Sequence, residues 1–153
     1  MSDWKRTTRE IPFGNLPTEM VSAINEHIEQ YNLGPILSDT LICIQTDSEK
    51  VKKGLFGGKE TVQVGAIVTP RWLVWVVSDA NAPAALSALL KDIVVQDYAD
   101  TPFVSMVPDS GLQVNGRFTD VSENASVFLG LEENAAGMKF KESVIRAVQD
   151  AKK

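Results

Sequence analysis

The chain is predicted to be α+β and mainly β. About seven antiparallel strands form a partly closed barrel or sandwich, capped by a C-terminal helix and preceded by an N-terminal helical extension. Three observations predict this. Residues 60–68 alternate (Glu60-Thr61-Val62-Gln63-Val64-Gly65-Ala66-Ile67-Val68), break at Thr69-Pro70-Arg71, and resume as the β-branched and aromatic run Trp72-Leu73-Val74-Trp75-Val76-Val77. Such a pattern is two strands joined by a turn. Short apolar runs at strand length continue on both sides of this hairpin. Finally, Phe140, Val144, Ala147, Val148 and Ala151 recur at helical spacing, with Met138 and Ile145 beside them.

Taken in order, the first 16 residues are polar and basic with two stray aromatics, Trp4 and Phe13, and read as an arm. Pro17 suits the first turn of a helix. Met20, Val21, Ile24, Ile28 and Tyr31 then form one apolar face, and Asn32-Leu33-Gly34-Pro35 stops the pattern. This helix is expected to pack on the domain's own core. Its polar face carries Glu19, Glu26 and Glu29, which disfavours an anionic membrane. Strands are expected near 40–47, 60–69, 71–78, 85–90, 93–98, 111–119 and 125–131. Residues 84–90 have a helical composition but are assigned to strand because Ile93-Val94-Val95 follows at once and because a resemblance to a known family implies a strand there. Asn115-Gly116 is either a hairpin tip or a glycine inside a bulged strand. The chain divides into an arm and helix over 1–38 and a β-rich domain over 39–153, forming one compact unit.

Composition excludes several function classes. At 153 residues and 44% apolar, the chain has enough material for one core. The net charge of −5 argues against nucleic acid as a partner, since duplex binding needs clustered Lys and Arg. Charge is uneven: Lys50, Lys52, Lys53 and Lys59 stand without an acid among them, whereas residues 92–133 are strongly acidic. The single cysteine, Cys43, sits in an apolar run and reads as a small buried hydrophobe in a reducing compartment. No apolar run reaches the ~20 residues of a membrane span. The N-terminus lacks the apolar core of a signal peptide. A cytoplasmic location is expected.

Three stretches carry a family resemblance. Residues 65–75 (GAIVTPRWLVW), Leu90-Lys91-Asp92-Ile93 and the helix over 140–151 resemble the second and third strands, the following short segment and the closing helix of pleckstrin-homology-like (PH-like) domains of the bacterial and GRAM type. The resemblance covers roughly residues 39–151. It implies about seven strands in two near-orthogonal sheets with a C-terminal helix at an open corner, and a binding role toward phosphoinositides, peptides or proteins. Fold alone does not select among these. Lipid-binding members place basic residues in the first inter-strand loop, here 47–60. The second strand begins Glu60-Thr61-Val62-Gln63, with an acid and no arginine fork to grip phosphate.

The candidate binding residues are Lys50, Lys52, Lys53, Leu55, Phe56 and Lys59 in that loop, together with Arg71 after the turn. Leu55-Phe56 between glycines can wedge into an interface while the lysines meet an anionic surface. The plainer reading is a solvated hairpin loop. Gly57-Gly58-Lys59 is not a phosphate loop: Lys53 stands where the first glycine is needed and Glu60 where Ser or Thr is needed. Trp72 and Trp75 are three apart on one strand and face opposite sides. His27, the only histidine, reads as structural, and one His with one Cys makes no zinc set. Asp97, Asp100, Glu132 and Glu133 read as solvated loop acids. No catalytic, cofactor-binding or metal residue is assigned and no cofactor is expected. The expected function is a non-catalytic binding module contacting a protein partner or copies of itself. Peripheral binding to anionic membrane lipid is the alternative, and a small enzyme stands third.

Overall fold

The computed structural model describes residues 3–51 and 58–153. It is a mixed α+β arrangement of two antiparallel sheets and two α-helices, and the sheets do not close into a barrel. One sheet has five strands in sequential order: β1 (Trp4–Glu10), β2 (Ile42–Val51), β3 (Lys59–Val68), β4 (Trp72–Ser78) and β5 (Ala84–Leu89). The other has three: β6 (Ile93–Asp97), β7 (Gly111–Gly116) and β8 (Ala125–Gly130). Helix α1 (Thr18–Gln30) lies between β1 and β2, and α2 (Ala135–Ala151) ends the fold.

The main core fills the space between the sheets under α2. Ile42, Ile44, Leu73, Trp75, Leu112, Leu129, Phe140 and Val144 belong to it. The helix buries the face its spacing predicts, and Asn134 caps it by accepting a hydrogen bond from Gly137 N at 2.9 Å. Met138 departs from expectation: it lies on the outer side and is 53% exposed.

The five-stranded sheet is covered on its other face as well. Met20 and Ile24 of α1 pack with Leu16, Ile36, Cys43, Ile67, Val74 and Val76. This explains why β4 is apolar at almost every position rather than alternating. Trp75 enters the main core and Trp72 packs toward α1, on opposite faces as expected. Gly65 leaves room for Leu16 and Met20 to approach the sheet. Helix α1 ends where the sequence places the stop: Asn32 (φ 52°) adopts the left-handed conformation, and Leu33 N donates to Ile28 O at 3.0 Å.

Two boundaries differ from the sequence reading. Strand β2 runs on to Val51 and β3 begins at Lys59, so residues 47–51 and 59–60 are strand rather than loop. Strand β7 stops at Gly116 (φ 145°), where a side chain would strike Asp92 O. Asn115-Gly116 is therefore a close backbone approach ending a strand, and not a hairpin tip. Residues 84–89 are strand despite their composition, because pairing with β4 overrides local propensity.

The larger correction concerns the N-terminus. The segment read as an arm is β1, a seven-residue strand paired with β2 from Trp4↔Lys50 to Glu10↔Ile44. Its outer edge is covered at Thr8. Thr8 N donates to Glu132 Oε1 (3.0 Å), Asn134 Nδ2 donates to Thr8 O (2.9 Å), and Glu132 N donates to Thr8 Oγ1 (2.8 Å). These bonds satisfy an edge that would otherwise be a template for aggregation. The same segment carries Asn134, the cap of α2. Glu132, expected as a solvated loop acid, is instead a hydrogen-bonding hub.

Candidate functional site

The structure divides the residues proposed from sequence. Lys50 and Lys59 sit together at the distal end of the β2–β3 pair, in register with Glu60 and Val51 respectively. Lys52, Lys53, Leu55 and Phe56 lie outside the described residues. Arg71 is at the opposite end of β3, a strand length or about 30 Å away. It does not join the lysines. There the Thr69 hydroxyl accepts hydrogen bonds from Arg71 N (3.3 Å) and Trp72 N (3.0 Å), which makes the tight turn. The Arg71 side chain is exposed and borders two small clefts of ≈ 200 and ≈ 250 Å³.

The lysines are partly matched by acids. Lys59 Nζ lies 4.0 Å from Glu49, and Lys50 is paired in register with Glu60. Lys50 Nζ also rests 5.7 Å from the centre of the Trp4 ring. Arg6 lies 5.3 Å from the same ring and makes a two-bond pair with Asp109, Nε to Oδ1 at 3.0 Å and Nη2 to Oδ2 at 2.6 Å. Through Arg6 the lysine end of the large sheet is tied to the segment joining β6 to β7.

That segment holds the feature the sequence reading passed over. Phe103, Met106 and Val107 are 59%, 81% and 63% exposed, three large apolar side chains within five residues. They form a tip braced from beneath. Tyr98 Oη donates to Val107 O at 2.6 Å, Val107 N and Met106 N donate to Phe103 O at 2.8 and 3.0 Å, and the Tyr98 ring packs on Phe128. Of the acids that flank the tip, Asp97 pairs with Lys141 at 2.9 Å and Asp109 with Arg6, while Asp100 is exposed. One signal was available in the sequence. Pro102 and Pro108 bracket an apolar run too short and too interrupted for a central strand.

The groups with chemical potential are built into the structure. Burial pushes the Cys43 thiol up to about 12, so the reactive thiolate is absent at neutral pH. His27 is buried and its Nε2 lies 2.8 Å from Ser87 Oγ, which donates to Thr119 Oγ1 at 2.7 Å. Burial holds the His27 imidazole below its usual range. Ser87 is fully buried, so this Ser–His contact braces α1 against β5 and does not present a nucleophile. Asp47 is pushed upward by burial, but hydrogen bonds from Gln45, Arg9 and Gln63 outweigh that and leave it lowered. Asp97 accepts from Ala99 N and caps a single turn. Among the described residues, no three His, Cys, Asp or Glu side chains are grouped to hold a metal, and no helix is long and apolar enough to cross a membrane.

No protein-family model, curated protein or solved structure matches this chain.

Proposed function

We propose that the chain is a non-catalytic, PH-like binding module that works by contact with protein through the tip formed by Phe103, Met106 and Val107. The order of elements supports the PH-like part: a four-strand meander (β2–β5), a three-strand sheet (β6–β8) and a closing helix, with β1 and α1 added. One observation carries the binding part. Three large apolar side chains within five residues stand more than half exposed on a braced loop, and such patches on folded proteins mark contact surfaces.

The alternative, peripheral attachment to anionic lipid by the 50–59 loop, draws on the nearness of Lys50 and Trp4 to the Arg6–Asp109 pair that anchors the tip. Against it, Glu49 and Glu60 accompany the described lysines, and Arg71 stands at the far end of the sheet. Two measurements made side by side decide between them. In affinity enrichment from a cell extract, a protein retained by the native chain and lost with Met106→Asp is the expected result. In co-sedimentation with anionic vesicles, no pelleting is expected at low salt. Salt-sensitive pelleting abolished by Lys50→Glu with Lys59→Glu would replace the protein reading with the lipid one.

A further inference from the structure

We infer that Met106 is a reversible oxidation site at which a peroxide turns the contact surface off. This rests on the tip being the contact surface, and it names how that surface is regulated. The chain has four methionines. Of the three among the described residues, Met20 is wholly buried between α1 and the five-stranded sheet, Met138 lies on the outer side of α2, and Met106 stands 81% exposed on the tip. A peroxide reaches the Met106 side chain without any opening of the fold, whereas Met20 has to wait for α1 to lift. The other oxidisable sulfur, Cys43, is buried and its thiol is pushed up to about 12, so it offers no thiolate to compete.

The step is a two-electron oxygen transfer. A lone pair of the thioether sulfur attacks one oxygen of hydrogen peroxide, and the S–O bond forms as the O–O bond breaks. The proton on the transferred oxygen passes to the other, which leaves as water; sulfur is oxidised and the peroxide reduced. An apolar side chain becomes a polar sulfoxide with a strong acceptor. The adjoining N–H groups, those of Met106 and Val107, are already given to Phe103 O at 3.0 and 2.8 Å, so the new oxygen keeps its water. A partner covering the tip then has to strip that water from an unpaired acceptor, and the contact weakens roughly ten- to a hundredfold. The same bonds, with Tyr98 Oη donating to Val107 O, hold the loop, so what changes is its polarity and not its fold. The sulfoxide stays exposed to reductases, which return it to the thioether as a dithiol becomes a disulfide and the oxygen leaves as water.

The test treats the native chain, Met106→Leu and Met138→Leu with hydrogen peroxide, follows each methionine by peptide mass mapping, and compares every chain with itself before and after. Met106 sulfoxide should form roughly tenfold or more faster than Met20 sulfoxide, with the circular dichroism unchanged. Retention on a phenyl resin should fall on oxidation of the native chain and of Met138→Leu, and hold on the same treatment of Met106→Leu. It should return after incubation with dithiothreitol and the reductases for both sulfoxide epimers. A protein captured from a cell extract should be lost and regained in the same pattern. Met106 oxidising no faster than Met20 overturns the inference. So does a fall in retention equally large in Met106→Leu, or one that the reductases do not restore. Fast, reversible Met106 oxidation in a chain that captures no protein lost with Met106→Asp would overturn the contact reading, and the switch with it, leaving Met106 as a modification site alone.

Discussion

The Arg6 guanidinium lies against the backbone of Gly130, in the space a side chain at that position would fill. It is held there by Asp109 and by Ser48 Oγ at 2.7 Å, and it sits over the Phe128 ring at 5.6 Å. The first strand of one sheet is thereby fastened to the last strand of the other. Gly130→Ala should expel the guanidinium, and Arg6→Ala should leave Asp109 largely buried without a cation. Each is expected to cost about 3 kcal/mol, and the double variant should cost little more than either. Urea unfolding of the three variants checks this; additive losses would show that Gly130 and Arg6 act independently.

Removing residues 1–10 should do more than trim a tail. It strips β1 from β2, opens an edge seven residues long and frees Glu132 and Asn134. The truncated chain is expected to aggregate and to lose a cooperative thermal transition. A truncated chain that stays dispersed with an unchanged melting temperature would return this segment to the status of an arm.

Thr8 and Thr46 share a buried hydroxyl contact of 2.9 Å, and Thr8 Oγ1 also accepts from Glu132 N. Thr8→Val keeps the shape but leaves a buried N–H without an acceptor. The expected loss is about 1–3 kcal/mol. Thr8→Ser should recover most of it, and chemical denaturation of both variants measures the difference.

Stability should fall in mildly acidic solution because of His27. Its folded pKa is lowered by burial, so below its usual 6.5 the unfolded chain takes up a proton that the folded chain resists. The stabilisation is complete above that value and is lost as pH falls toward the lower folded value. Asp47, also lowered, acts in a separate and more acidic window: its contribution is present above 3.8 and lost below it. Denaturant midpoints between pH 7.5 and 5 should drop for the native chain and stay flat for His27→Gln.

Cys43 should resist thiol reagents in the folded protein. With its thiol buried and raised to about 12, modification must wait for opening of the sheet. Labelling should be complete in denaturant and slow without it. Rapid labelling of the native chain would mean that the sheet at Cys43 opens far more readily than its hydrogen bonds suggest.

Seven strands and both helices were legible in the sequence because their burial is apolar and periodic. Val64, Ala66 and Val68 alternate toward one core, and Phe140, Val144 and Ala147 repeat toward the same core from the helix. Strand β1 was not legible for the same physical reason in reverse. Its inward residues are Trp4, Arg6 and Thr8, and two of the three are polar. Their burial is tolerable only because Asp109, Glu132 and Asn134 meet them from 103 to 126 residues along the chain. No local pattern records such partners. The candidate site divides likewise. The lysines of the 50–59 loop were visible as composition, but their separation from Arg71 follows from strand length and direction.

The sequence by itself determined seven of the eight strands, both helices and the stops at Asn32 and Thr69, since periodicity and turn chemistry are local properties. Only the tertiary structure decided that the N-terminal segment is a strand, and that Phe103, Met106 and Val107 stand in water while equally apolar residues are covered. Burial depends on which surfaces the folded chain brings together, and among the described residues nothing covers the outer side of the tip.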